Sequence, residues 1–170
     1  DTVIEENCPV IWDNMPAVLH HDGFLIRVFP HMSLSMKIDK EGTLWMPVDA
    51  PAIDNNGNLE SFRRCTAILR SVDMGHTWEY VSHILYEESF NPPTAIDVEG
   101  FMECSLDFVE DGSCVAFLRS GSLSPFVAGD DEHPAPIMMQ TRSYDGCKTW
   151  ETPKYFYDYG VLPVTRKLAD

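Results

Sequence analysis

The sequence repeats an octapeptide, and this repeat restricts the possible folds more than any other feature. The first copy, Ser71-Val-Asp-Met-Gly-His-Thr-Trp, and the second, Ser143-Tyr-Asp-Gly-Cys-Lys-Thr-Trp, lie 72 positions apart, and an arginine precedes each. Upstream, Gly42 and Gly112 lie 70 positions apart, and each stands between an acidic residue and an apolar run. The recurrence therefore covers a larger unit than the octapeptide, which indicates a fold built from equivalent supersecondary units.

Each unit is predicted to contain four β-strands, because runs of strand-forming residues alternate with turn residues. The strands of the first unit are expected at 33–38, 43–48, 64–70 and 78–84. Those of the second unit are expected at 102–108, 113–119, 137–142 and 152–156. Helices are disfavoured, because the 12 prolines and 10 glycines interrupt nearly every helical pattern. Four-stranded units at a fixed period are typical of β-propeller blades.

The sequence accounts for about two blades, whereas a closed propeller needs at least about four. We therefore expect an all-β chain that forms about two to two and a half four-stranded blades of a longer protein. The expected parts are a remnant of a preceding blade at 1–30, blades at 31–90 and 95–158 with one octapeptide each, and the first strand of a further blade at 161–170.

The composition disfavours several classes of function. Of the 170 residues, 12 are Lys or Arg and 27 are Asp or Glu, which gives a formal net charge of −15. We therefore expect no nucleic acid partner and no docking to an anionic membrane. The five cysteines form no Cys-x-x-Cys pair, so no metal site is expected. Buried free thiols are the first expectation for them, and one disulfide with odd thiols is the alternative.

The octapeptide pattern Ser-x-Asp-x-Gly-x-Thr-Trp resembles the Asp-box, or BNR repeat, of bacterial neuraminidases, and 71–78 match every fixed position. The resemblance implies a sialidase-type β-propeller, which is expected to have six blades. The fixed positions have structural roles: the aspartate accepts N–H bonds within its turn, the glycine takes a positive φ, and the tryptophan packs between sheets. The residues assigned to these structural positions are Ser71, Asp73, Gly75, Thr77, Trp78, Ser143, Asp145, Thr149 and Trp150.

The second copy departs from the pattern at one position, where Cys147 replaces the glycine. Because a side chain resists a positive φ, the sequence predicts either backbone strain at Cys147 or a shifted turn in which Gly146 takes the glycine role. Asp73 and Asp145 are expected to form turns and not to act as catalytic acids.

Candidate chemistry lies between the two octapeptides, at Glu103 and Arg119, which are 16 positions apart across an Asp-Gly turn. In an antiparallel hairpin the start of one strand lies beside the end of the next, so both side chains are expected at one end of a blade. In a propeller that end faces the central cavity, where ligands bind. An ordinary salt bridge at a sheet edge is the alternative.

The segment 102–119 resembles the sialidase segment in which a glutamate begins an inner strand and an arginine ends the next. The resemblance implies that Arg119 is one of three arginines that bind the carboxylate of sialic acid. It also implies that Glu103 removes the proton of a tyrosine nucleophile, a scheme in which sialidases differ from glycosidases with two catalytic carboxylates. The third arginine and the tyrosine are expected beyond residue 170.

Four further residues are weaker candidates. Arg27 lies in Arg-Val-Phe-Pro, a distorted form of the Phe-Arg-Ile-Pro motif of the family. Asp54 is the candidate acid/base aspartate, although the turn-forming sequence Asp-Asn-Asn-Gly explains it equally well. Arg63 and Arg64 stand on or beside a strand, where alternation allows only one of them to reach the cavity.

Together the resemblances imply an exo-α-sialidase, a glycoside hydrolase that releases terminal sialic acid and needs no cofactor. The expected partners are a glycan with terminal sialic acid or a related sugar, and the remaining blades of the propeller. Two alternatives stay open: a non-catalytic Asp-box propeller that binds carbohydrate or protein, and a hydrolase of another sugar on the same fold.

Overall fold

The computed structural model describes residues 10–11, 36–53, 59–86, 98–122, 137–157, 160 and 162–166. Their strands are β1 (Val10–Ile11), β2 (Lys37–Ile38), β3 (Leu44–Ile53), β4 (Leu59–Ser71), β5 (Trp78–Ile84), β6 (Val98–Phe108), β7 (Cys114–Ser122), β8 (Ile137–Ser143) and β9 (Lys154–Tyr157). The prediction of an all-β chain is confirmed for these ranges. They contain no helix, and so none that is long and apolar enough to cross a membrane. The strands β2 to β9 overlap the predicted ones, whereas β1 was not predicted.

Each repeat unit folds into one antiparallel meander. The first meander consists of β2, β3, β4 and β5, and the second consists of β6, β7, β8 and β9, with neighbours paired in chain order. The two meanders join where β4 pairs in parallel with β6, through Arg64 and Gly100. The short β1 pairs in parallel with β5. Antiparallel pairing therefore occurs within each unit, and parallel pairing connects different parts of the chain.

A continuous apolar cluster joins the two meanders. Because side chains alternate along a strand, Ile68 and Leu69 of β4 enter different clusters. Ile68 lies in the shared cluster, to which the second meander contributes fully buried residues such as Phe101, Leu106 and Leu118. Leu69 lies in a cluster that the first meander supplies. Burial of one large apolar side chain contributes about 1.5–3 kcal/mol, so the shared cluster stabilises the contact between the meanders.

Both octapeptides close the turn between the last two strands of their meander with the same hydrogen bonds. The backbone N–H of Thr77 donates to Asp73 Oδ1 over 2.9 Å, and the Thr77 hydroxyl donates to Oδ2 over 2.6 Å. The corresponding bonds from Thr149 to Asp145 are also 2.9 and 2.6 Å long. The serine that begins each copy accepts the backbone N–H of the residue four positions on. These are the contacts of turn-forming side chains, because they satisfy donors of the turn itself.

Cys147 takes the backbone conformation of the glycine that it replaces. In the first copy Met74 and Gly75 have φ angles of 62° and 93°, and in the second Gly146 and Cys147 have 73° and 61°. The turn is therefore not shifted, and the strained alternative is the one observed. The left-handed conformation costs a non-glycine residue about 1–2 kcal/mol. Complete burial of the Cys147 thiol in the shared cluster opposes this cost.

The described cysteines are Cys65, Cys104, Cys114 and Cys147, and all four are free and buried, as the first of the two alternatives predicted. Burial and, secondly, the charge of Asp49 raise the pKa of Cys65 to about 12 and also raise the pKa of Cys104. These thiols therefore stay protonated at neutral pH, and a thiolate nucleophile is disfavoured.

The two Asp-box aspartates make stability depend on pH in the acid range. Hydrogen bonds from the threonine side chain and backbone lower the pKa of Asp73 and of Asp145 from 3.8 to about 2. Their stabilising contribution is therefore complete above the unfolded value and is lost as the pH falls through the folded value. As the pH falls from about 4 to about 2, we expect the free energy of unfolding of Asp73→Asn and of Asp145→Asn to decrease less than that of the wild type. Urea unfolding at each pH measures this decrease. Equal losses in the wild type and the variants would contradict this expectation.

Candidate active site

Glu103 occupies a β-bulge between β6 and β7. Met102 pairs with Arg119 and Ser105 pairs with Phe117, so two residues of β6 face one residue of β7. Glu103 is the first of these two and has a φ of 49°, the left-handed conformation that one type of bulge normally assigns to glycine. This conformation costs a glutamate about 1–2 kcal/mol. It also directs the side chain differently from the regular alternation of a strand.

The structure brings Glu103 and Arg119 together, as the hairpin argument predicted. Arg119 Nη1 donates to Glu103 Oε1 over 3.0 Å, and the side chains of Arg119 and Glu103 are 16% and 11% exposed. The second carboxylate oxygen, Oε2, accepts the backbone N–H of Leu162 over 2.8 Å. Both oxygens of Glu103 are thus held in place, one by a permanent cation and the other by a backbone donor.

The guanidinium of Arg119 has a donor without an acceptor. Its Nη1 also contacts Met102 Sδ at 2.9 Å, whereas its Nε is buried and has no hydrogen-bond partner in the described part of the chain. A buried donor that lacks a partner costs about 1–3 kcal/mol. An arginine is suited to bind an anion such as a carboxylate through its planar fork of N–H donors, although the buried Nε of Arg119 is itself closed to a ligand from solvent.

Asp49 is a residue of this site that the sequence did not reveal. It lies on β3 of the first meander, is 8% exposed, and its Oδ1 accepts the backbone N–H of Glu103 over 3.0 Å. The available signal was an acidic residue inside the otherwise apolar run Leu44–Ile53. That signal does not say which strand of the other unit the carboxylate meets. The site therefore combines residues from both meanders.

Residues 162–166 run beside β6, the first strand of the second meander. The N–H of Thr165 donates to Ser105 Oγ over 2.9 Å, and its hydroxyl donates to the carbonyl of Leu106 over 2.8 Å. The carbonyl of Thr165 accepts a hydrogen bond from Lys37 of β2, the first strand of the first meander. The segment is not itself a β-strand. The first strands of both meanders and the segment that the sequence assigned to a further blade thus lie close together.

Of the weaker candidates, Arg64 alone has a described side chain. It is partly buried and lies on β4 at the parallel pairing with Gly100. Arg63 precedes it on β4, and the side chain of Arg63 lies outside the described residues, as do Arg27 and Asp54. Within the described ranges no group of three or more His, Cys, Asp or Glu side chains could hold a metal ion.

Comparisons with known proteins assign no function to this chain. No family model matches the sequence, and no curated protein matches it. Among solved structures it is similar to a crystal structure of a protein of unknown function from Dyadobacter fermentans DSM 18053, with 26% sequence identity and a TM-score of 0.49. The match covers 71% of this chain and 26% of that protein, so the chain spans well under half of its length.

Proposed function

We propose that the chain is part of a sialidase-like β-propeller and that Glu103 and Arg119 belong to an exo-α-sialidase site. The observation that carries the proposal is the mostly buried Glu103–Arg119 pair, which stands on a strained bulge and includes an unsatisfied donor of Arg119. Strained backbone and unsatisfied buried polar groups concentrate at functional sites. A salt bridge that served stability alone would need neither feature.

The arrangement of the strands supports the propeller part of the proposal. Two consecutive four-stranded meanders share an apolar cluster, and their first strands are bridged by Lys37 and Asp107, 3.2 Å apart. Each blade of a propeller is such a meander, and the blades surround a central channel. A further blade would cover the face of the second meander on which Phe117 contacts Phe156, a ring that is half exposed.

In the proposed reaction Arg119 binds the carboxylate of sialic acid. Its charge is permanent, and its low exposure strengthens the attraction because water screens it less. The substrate carboxylate would accept from guanidinium donors that Glu103 does not use. This contact would select a sialoside over a neutral glycoside and place its anomeric carbon for attack.

Glu103 is the proton acceptor of the proposed reaction. A tyrosine from another blade gives its phenolic proton to the Glu103 carboxylate as the tyrosine oxygen bonds to the anomeric carbon and the glycosidic bond breaks. The leaving oxygen takes a proton from an acid/base aspartate, for which Asp54 is the candidate. Water then attacks the anomeric carbon and gives a proton to the aspartate, while the bond to the tyrosine oxygen breaks and that oxygen takes its proton back from Glu103. A neutral nucleophile suits this substrate, because a carboxylate nucleophile would be repelled by the sialic acid carboxylate.

Turnover of a fluorogenic sialoside by the full-length protein tests the proposal. We expect release of the fluorophore from the sialoside and none from a galactoside with the same leaving group, because the galactoside lacks a carboxylate for Arg119. Binding of the sialoside without turnover would contradict the proposal that the protein is an enzyme. Turnover of the galactoside alone would contradict sialic acid as the substrate and favour a hydrolase of another sugar.

A non-catalytic propeller that binds glycans is the second candidate, and one contact pattern favours it. Both oxygens of Glu103 already accept hydrogen bonds, from Arg119 and from Leu162, as in a structural ion pair. The formal net charge of −15 also disfavours an anionic substrate. Calorimetric titration with a sialylated oligosaccharide, together with the turnover assay, separates the two candidates.

A further inference from the structure

The hydrogen bond between Asp49 and Glu103 points to a residue role that the proposed function does not include. We propose that Asp49 is a positioning residue, which holds Glu103 in its left-handed conformation and thereby keeps the carboxylate against Arg119. The consequence for turnover rests on the proposed function, whereas the effect on the bulge does not.

The bulge takes the N–H of Glu103 out of the regular β6–β7 ladder. A backbone N–H that is shielded from water needs an acceptor, and Asp49 Oδ1 supplies one over 3.0 Å. Asp49 is 8% exposed and pairs with Thr66 within the first meander, so the sheet fixes its position. Hydrogen bonds from an N–H to a carboxylate are also stronger than those to a neutral acceptor. Asp49 is therefore a rigid anchor for the backbone at Glu103.

Without this anchor the bulge has a favourable way to rearrange. The left-handed conformation is unfavourable for glutamate, so loss of the acceptor would allow residue 103 to take instead the right-handed conformation that the first residue of a classic bulge adopts. Because the backbone conformation at a bulge sets the direction of its side chain, this relaxation moves the Glu103 carboxylate away from Arg119. The 3.0 Å contact between the two side chains would then be lost.

The first test compares the turnover of the full-length protein with Asp49→Asn and with Asp49→Leu. Asparagine keeps an acceptor oxygen, whereas leucine has a similar size and no acceptor. We expect Asp49→Asn to stay within about 10-fold of the wild-type kcat and Asp49→Leu to lose about 100-fold, with KM changed less in both. Equal losses in the two variants would overturn the proposal, because the charge of Asp49 and not its acceptor oxygen would then matter.

The second test determines the crystal structures of the same two variants and needs no substrate. We expect Asp49→Asn to keep the positive φ and the Arg119 contact of Glu103, and Asp49→Leu to lose both. An unchanged bulge in Asp49→Leu would overturn the positioning role. If that variant does not fold, Asp49→Ala replaces it, and failure of both to fold would equally overturn the proposal, because Asp49 would then be required for folding.

The two tests separate the positioning role from the proposed function. If the wild type turns over no sialoside, the proposed function fails, and the variant structures still decide whether Asp49 holds the bulge. If the wild type is active and the bulge of Asp49→Leu is unchanged, the positioning role alone fails.

Discussion

Replacement of Arg119 by alanine is expected to lower kcat/KM for a sialoside by about 1,000-fold. The guanidinium would bind the substrate carboxylate through two charge-assisted hydrogen bonds, each of which contributes about 1.5–3 kcal/mol. The substitution also leaves Glu103, which is 11% exposed, without its cation. We therefore expect a loss of stability of about 3 kcal/mol. Initial rates measured well below the unfolding midpoint of the variant separate the two effects.

Two further variants make this result specific. Arg119→Lys keeps a positive charge beside Glu103, so we expect its stability to be close to that of the wild type. Because lysine lacks the planar fork of arginine, we expect its kcat/KM to be about 10- to 100-fold below the wild-type value. Arg142→Ala is the matched control, because Arg142 pairs with Asp111 and lies beside Val115, at the other end of β7 from Arg119. It is expected to keep wild-type turnover. Full activity of both Arg119 variants would show that the site assignment is wrong.

Gly100→Ala is expected to lower the free energy of unfolding by about 3 kcal/mol or more. A methyl carbon at residue 100 would lie 2.0 Å from the carbonyl oxygen of Arg64 and 2.9 Å from its carbonyl carbon. These backbone atoms belong to β4 and cannot rotate away, and Gly100 has a φ of 103°. The clash falls on the pairing that joins the two meanders, so we expect thermal unfolding to show a Tm about 10 °C lower.

Gly42→Ala is the control for this experiment. Gly42 also has a positive φ, 87°, but apart from its two chain neighbours no described residue has an atom within 4 Å of the added carbon. The Gly42→Ala variant therefore measures the cost of the left-handed conformation alone, about 1–2 kcal/mol. If the two variants lowered the Tm equally, the close approach of Arg64 would not be the reason for glycine at residue 100.

Local patterns in the sequence were sufficient to predict the all-β class and most of the described strands. Strand-forming runs, separated by the turns at Gly42 and Gly112 and by the two octapeptide turns, placed eight strands in order, because each hairpin forms between residues that are close in sequence. Four of these strands, β3, β4, β6 and β7, extend further than predicted into the connecting segments. For example, β4 is Leu59–Ser71 where 64–70 was expected, because its pairing with β3 resumes after an irregularity between Pro51 and Ala52. Such irregularities have no local signal that would mark their position.

The geometry of the candidate site could not be predicted, because contacts between distant segments determine it. The spacing of Glu103 and Arg119 placed them at one end of a hairpin, but strand alternation gives no reason for a glutamate with a φ of 49°. Asp49 lies 54 positions from Glu103, and their contact depends on how the two meanders pack. Leu162 approaches the carboxylate from a third segment. A resemblance in sequence identified the acidic and basic residues but not the groups that orient them.

The division of the candidate site between two meanders has a consequence for the order of folding. Consecutive strands form each meander, so each can assemble early at a low cost in loop-closure entropy. The Asp49–Glu103 bond forms only after the meanders dock, and the site is therefore completed later than the sheets that carry it. During synthesis the first meander emerges first and exposes Trp45, Ile68 and Ile84 until the second covers them. A ribosome that pauses between the two units would thus prolong the exposure of an aggregation-prone face.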